Sequence, residues 1–377
     1  VNDLEDENEV AAGVYIQPIA VSLKFYKRNT SSEDEEENPG KSELFTASFD
    51  ITERAEANAV YSDVLGRLLW RGNAQFAGQR IGLGTISGDG FWHREYALGV
   101  ALPVWSNSLF SLRVGGRVKL IQGIMAVQTD KLNLVMDTDV NGEQVDLDVD
   151  YNVNTSLPDF DDDDLTFSEV YQTRGFGAGV DFGATLTFMK HFSASLSFLD
   201  LGSVNYNTEN TNYARTASTN FEGVEISTDG TVENVDNLSD AIWEDIEPIE
   251  TDESFSIGLP SRMVLQLEYN MYRKDKKEVE FAKHAAFLTY TQGFKDFGIA
   301  SLTPMLNIAY TYSPNARFSI GNNFGFGGIN GFALGPYLSV QGGAFSFGLG
   351  FNNLLGLISQ QSARGADFAL SLGLNFR

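Results

Sequence analysis

Three histidines, 51 acidic side chains and no cysteine set the chemistry open to this chain. A hydrolase needs a hydroxyl activated by an imidazole that a third polar group orients. His93 stands two residues before Glu95, His191 falls in an expected turn and His284 follows a lysine-rich turn, but spacing pairs no serine with any of them. The lack of cysteine removes thiolate nucleophiles, thiolate metal sites and disulfides. No catalytic residue is assigned, and the chain reads as a non-enzyme with no cofactor. One stretch has the residue types for a cation. In DTDVNGEQVDLD, Asp137, Asp139, Asn141 and Asp148 have spacing like that of an EF-hand calcium loop, with Gly142 at the turn. The flanking helices of an EF-hand are missing. The same residues also read as a hairpin turning at Asn141-Gly142, which sets Asp137 opposite Asp146. Like charges facing each other are unfavourable, and a calcium ion or solvent salt would relieve them.

A second set of charges lies inside segments whose alternate residues are apolar. Glu95, Arg113, Arg117, Lys119, Asp181 and Glu268 all share a face opposite large apolar side chains. As the lining of a lumen they would select an anionic or polar solute. As partners of one another they would form internal ion pairs that fix strand register.

These charges need strands to position them. Leu112, Val114, Val118 and Leu120 alternate with Arg113, Arg117 and Lys119, and Met263, Leu265, Leu267, Tyr269 and Met271 alternate with Val264, Gln266, Glu268 and Asn270. The sequence ends the same way: Phe368, Leu370, Leu372, Leu374 and Phe376 are apolar, while Ala369, Ser371, Gly373 and Asn375 are small or polar. With 28 Phe, 14 Tyr and 37 Gly, the composition suits pleated strands. No run reaches the roughly 18 to 20 apolar residues of a spanning helix, and mean hydropathy is -0.16. Segments of about ten residues fit a tilted crossing of a bilayer and are long for a soluble sandwich. A soluble or surface β-rich binding module remains the other all-β reading.

The expectation is an all-β protein, one transmembrane antiparallel β-barrel over 1–377 with about fourteen strands, among them 76–87. Residues 52–72 read as a short helix, because Val60, Val64 and Leu68 form one helical stripe. It would lie at the periplasmic end or plug the lumen. Strand parity counted back from Arg377 makes 1–12 a periplasmic N-terminal segment, keeps both termini periplasmic, and places the acidic stretches 27–43, 122–173 and 205–253 outside the cell. The first residues lack the basic and apolar regions of a signal peptide. The last strand doubles as an assembly signal, with Leu374 and Phe376 on its apolar face. A net charge of -25 argues against nucleic acid.

The stretches WRGNAQFAG (70–78), HREYALGVAL (93–102), GGRVKLIQGI (115–124), GFGAGVDFGATLTF (175–188), SASLSFLDLGSVNYN (193–207) and SIGLPSRMVLQLEYN (256–270) resemble a family of uncharacterised outer-membrane barrels of Bacteroidota. That resemblance implies a barrel distantly like the long-chain fatty-acid transporters and the type IX secretion shuttle barrels, with no catalytic motif. The expected role is an accessory or scaffold subunit of a larger cell-envelope complex. The alternative is a conduit for a hydrophobic ligand. Expected partners are outer-membrane lipid, lipopolysaccharide and other envelope proteins.

Overall fold

The computed structural model describes residues 6–28, 41–141, 144–160, 166–221, 244–275, 278–297, 300–329, 331–358 and 365–374. They form one antiparallel sheet of eighteen strands: β1 (Glu7–Arg28), β2 (Lys41–Ser62), β3 (Gln79–Gly82), β4 (Ser87–Ser106), β5 (Phe110–Thr138), β6 (Val145–Ser156), β7 (Gly175–Phe188), β8 (Phe192–Tyr206), β9 (Asn210–Phe221), β10 (Ile249–Thr251), β11 (Phe255–Gly258), β12 (Arg262–Lys274), β13 (Glu280–Gly293), β14 (Met305–Asn315), β15 (Phe318–Gly327), β16 (Phe332–Gly342), β17 (Phe345–Gly350) and β18 (Ala369–Leu374).

Thirteen strands pair in chain order as one meander: β1, β2, β4, β5, β7, β8, then β12 through β18. The other five extend one end, where β3 and β6 pair with the far part of β5, β9 with β6, β10 with β9 and β11 with β8. Among the described residues β1 and β18 do not pair, so the sheet is not closed. Short connections such as 107–109, 189–191 and 316–317 lie at one end, the turn end. The longer connections 157–174 and 207–261 lie at the other, the loop end.

The sheet is a single layer, so its two faces have different fates. Outward side chains are apolar and exposed: Leu98 is 61 %, Val118 57 % and Leu120 70 % accessible. A soluble single layer would not leave such a face uncovered. Aromatic rings gather on it near the turn end, with Phe25 on Phe45 at 4.5 Å, Phe110 on Phe188 at 4.9 Å and Phe192 by Tyr269 at 4.7 Å. Inward side chains are polar or small, and on β2 the run Asp50, Thr52, Arg54, Glu56 and Asn58 is buried.

Three expectations need correction. Residues 52–62 continue β2, and only Asp63–Arg71 is helical (α1). The helical stripe of Val60, Val64 and Leu68 competes with the period-two run from Asp50 to Asn58, and inward pairing of those polar groups wins. Ser62 caps α1, its Oγ accepting from the Leu65 N–H at 3.0 Å. Residues 76–87 are not a spanning strand, since they hold the end of a short helical turn (Ala74–Phe76) and the four residues of β3. Losing that strand reverses the parity of everything before it. Of the stretch 27–43, residues 29–40 lie outside the described residues, and the flanking ends of β1 and β2 are at the turn end; α1 sits at the loop end, and 7–12 begin β1 at the loop end, opposite the end that β18 reaches. The parity of 122–173 and 205–253 is unaffected for their described residues, which include strands, while 142–143, 161–165 and 222–243 lie outside the described residues.

Glycine matters where the inner wall receives a ring. A Cβ on Gly123 would lie 2.5 Å from the Tyr206 ring, and one on Gly175 would lie 2.6 Å from the Asn205 carbonyl. We expect Gly123→Val to cost about 1–3 kcal/mol through overpacking. Gly82→Val, where nothing lies within 4 Å, should stay within about 0.5 kcal/mol of wild type. Denaturant unfolding in detergent checks both.

Candidate functional site

Inside the sheet, strands β2, β4, β5, β7, β8 and β12 bring nine charged side chains into one cluster. Lys119 Nζ lies 3.1 Å from Asp181 and 3.4 Å from Glu95, and also contacts Asp200. Arg54 reaches Glu56 at 2.5 Å, Asp200 at 3.0 Å and Glu95 at 3.6 Å. Arg117 bridges Asp50 at 3.0 Å and Asp181 at 2.7 Å, and Arg262 meets Asp200 at 2.6 Å. Asp200 is the hub, serving Arg54, Lys119 and Arg262. Its φ is +59, and its N–H donates to Asp181 at 2.7 Å. The β7–β8 ladder skips register between Val180 and Phe182, next to Asp181. The local kink turns both carboxylates inward. A non-glycine residue in that region is uncommon, and aspartate tolerates it better than most.

Four of the expected luminal residues, Glu95, Arg117, Lys119 and Asp181, meet here. Arg113 does not, because it pairs with Glu43 nearer the turn end. Glu268 also stands apart, accepting from the Asn270 amide at 2.5 Å. Asp50, Arg54, Glu56, Asp200 and Arg262 complete the cluster without having been singled out by the sequence. The alternation from Asp50 to Asn58 was their signal on β2, masked by the competing helical pattern. By contrast, β14 to β18 contain no charged residue. Their inner face offers groups such as Asn307, Thr311, Asn323, Ser339 and Ser371.

Next to the ion pairs, toward the loop end, lies an apolar cluster. Phe91, Ile121, Val204 and Tyr206 come from the wall, while Leu259 and Phe297 come from connections. Phe91 stacks on His93 at 4.4 Å, so the two clusters are in contact. Phe297 meets Phe91 at 5.1 Å. The Leu259 side chain lies over Gly179, where a Cβ would sit 2.8 Å from it. The two connections are tied together: Phe294 N–H donates to the Ser261 carbonyl at 3.0 Å, and Lys295 donates to the Gly258 carbonyl. Lys295 also stands 4.3 Å over the Phe297 ring.

The remaining candidates resolve differently. His93 Nε2 bonds Glu95 at 2.9 Å, His191 Nδ1 the Asn270 carbonyl at 2.8 Å and His284 Nδ1 the Tyr310 hydroxyl at 2.6 Å. None of these bonds involves a serine. Asp137 does face Asp146, as the hairpin reading requires. A cation of the chain itself stands by these acids: Arg80 reaches Asp148 at 2.6 Å and Asp137 at 3.8 Å. Ser218 and Arg80 hold the Asp148 carboxyl below its usual range. Asp139 Oδ1 accepts from the Gln144 N–H at 3.3 Å, and Asn141 is exposed in the turn. Among the described residues no three acidic or histidine side chains are grouped to hold a metal ion. Leu374 is exposed on the outer face of β18, paired with Phe345, and Phe376 lies outside the described residues.

The family of unknown function DUF5723 matches residues 39–352, and the chain belongs to it. No curated protein matches. Two solved structures are similar in outline. The Ralstonia pickettii toluene transporter TbuX is 11% identical, with 92% of this chain and 84% of that one covered and a TM-score of 0.38. The P. putida toluene transporter TodX is 8% identical, with 92% and 82% covered and a TM-score of 0.37. At those values neither likeness bears on function.

Removing one partner from a buried ion cluster strands the others. Lys119→Met should therefore cost about 3–5 kcal/mol. Arg113→Met, at a half-exposed pair, should cost no more than about 1 kcal/mol. Unfolding midpoints in one detergent compare the two directly.

Proposed function

We propose that this chain is a non-enzymatic barrel of the bacterial outer membrane that passes a hydrophobic solute, its interior closed by a hatch. The exposed apolar outer face with rings near the turn end supports a lipid setting, where lipid and lipopolysaccharide are the natural neighbours. Turn-end connections such as 107–109, 189–191 and 316–317 are short, while 157–174 and 207–261 at the loop end are long and acidic, which supports a periplasmic turn end and an extracellular loop end, with the twelve residues 29–40 the exception. No described helix is long and apolar enough to cross a membrane.

The observation that carries the conduit reading is where the seal comes from. Leu259 and Phe297 sit on connections, not on the wall, and rest inside the sheet on glycine and aromatic seats. Such side chains can lift without breaking a ladder between spanning strands, at the cost of the Leu259 N–H bond to the Gly202 carbonyl. The solute class follows from the seat, since an apolar chain could replace Leu259 and Phe297 in the same contacts. A second reading, a scaffold in an envelope complex, is favoured by the ion cluster, which fills part of the interior with fixed charge pairs.

The double variant Leu259→Ala/Phe297→Ala separates the two. Loss of about 2 kcal/mol of contact in the closed state would raise the open population about thirtyfold. We expect faster entry of a hydrophobic dye into cells, and larger conductance in planar bilayers, than with wild type. No current from either protein and equal dye entry would leave the scaffold reading standing and remove the conduit.

A further inference from the structure

Two of the buried polar atoms that find no partner among the described residues share one place in the wall, Arg54 Nη2 and His93 Nδ1. Their residues are register neighbours on β2 and β4, exposed to only 2 % and 1 %. The other nitrogens of each side chain are committed. Arg54 Nε and Nη1 serve Glu56 and Asp200, and His93 Nε2 meets Glu95 at 2.9 Å. Neither side chain can turn to pair its free atom without giving up a carboxylate. Buried polar atoms are nearly always paired, so two exceptions in one place call for an occupant. Both side chains also stand against one ring. Phe91 stacks on His93 at 4.4 Å, and the Arg54 guanidinium lies 5.8 Å from the Phe91 centroid. The same ring receives Phe297 at 5.1 Å. The unpartnered pair therefore borders the apolar seat on which the connections rest.

The two atoms ask for opposite things. A guanidinium only donates. The Glu95 carboxylate only accepts, so the hydrogen of the His93–Glu95 bond is on Nε2, and the uncharged imidazole keeps a lone pair at Nδ1. A donor and an acceptor side by side fit a hydroxyl, which accepts from Arg54 and donates to His93. A carboxylate fits poorly, having no hydrogen for Nδ1. It would also join a cluster in which five carboxylates, Asp50, Glu56, Glu95, Asp181 and Asp200, already face four cations. An alkane would leave both atoms unpaired. We infer that the solute is an uncharged amphiphile with a hydroxyl, its apolar chain replacing Phe297 on Phe91 and its hydroxyl bridging Arg54 Nη2 and His93 Nδ1. This rests on the conduit reading and narrows its solute class. Phe297 leaves with its connection, whereas Arg54, Phe91 and His93 stay in their ladder, so the site is formed before the solute arrives.

Binding of octanol, octyl methyl ether and octanoate to the protein in lipid nanodiscs tests this, each affinity corrected for uptake by empty nanodiscs. The ether accepts but cannot donate, and octanoate accepts while carrying charge. We expect the alcohol to bind about three- to tenfold more tightly than the ether, the worth of one hydrogen bond, with octanoate weakest. His93→Gln keeps a donor for Glu95 and removes Nδ1, so the alcohol-to-ether ratio should fall to about one. Phe297→Ala clears the seat and should raise both affinities about fivefold with the ratio kept. Heat-modifiable migration shows whether each variant folds, and the wild-type ratio decides alone where one does not. Alcohol and ether binding alike, as they would if the two atoms held only water, would overturn the inference. So would octanoate binding most tightly, a ratio that His93→Gln leaves unchanged, or no binding of any of the three. Failure of the conduit reading would look different: the preference for the alcohol would stand, while dye entry and current showed no passage.

Discussion

Asp200 is the interaction on which the interior depends. Three cations from three strands, Arg54, Lys119 and Arg262, converge on its carboxylate. Their approach to one another is tolerable only because that negative charge lies among them, with Asp181, Glu95 and Glu56 balancing what remains. The kink that turns Asp200 inward is therefore bound to the cluster, since straightening β8 would leave three cations facing each other out of water. The same kink leaves room for the Leu259–Ser261 connection, tied at Ser261 Oγ to the Asp200 carbonyl at 2.6 Å. Charge cluster and the Leu259–Ser261 connection thus share one residue, so the connection is registered against the sheet by the backbone that holds the ion pairs.

Much of this architecture is legible in the sequence because alternation is a physical requirement of a single-layer sheet with unlike faces. Arg117, Lys119 and Glu95 stand between apolar residues, and the structure turns them to one side for that reason. The error at 52–62 has an equally definite cause. Small and charged residues such as Glu53, Ala55, Glu56 and Ala57 satisfy helical and strand periods together, and only long-range pairing with Arg94, His93 and Trp92 decides between them. Parity counting then passed one wrong strand on to every earlier element.

The candidate site was harder to see, because its members come from distant parts of the chain. Asp200 lies in the stretch Phe198-Leu199-Asp200-Leu201, where it looks like a lone acid in an apolar run, and nothing local reveals its left-handed backbone. Leu259 and Phe297 likewise belong to connections, whose side chains carry no periodic signal. The hairpin acids show the converse: Asp137 and Asp148 were visible as a pair in need of a cation, but Arg80, fifty-seven residues before Asp137, was not visible as its source.

The uncharged inner face of β14 to β18 has a mechanical consequence. Strands β2 to β12 are cross-braced by buried ion pairs, whereas among the described residues of β14 to β18 the inner side chains bond between nearby strands through uncharged groups, as Thr311 does with Tyr337 and Asn323 with Asn307. Lateral pressure or a change in bilayer thickness would not be shared evenly around such a wall. The braced strands would keep their curvature, and the strain would collect in the uncharged strands β14 to β18.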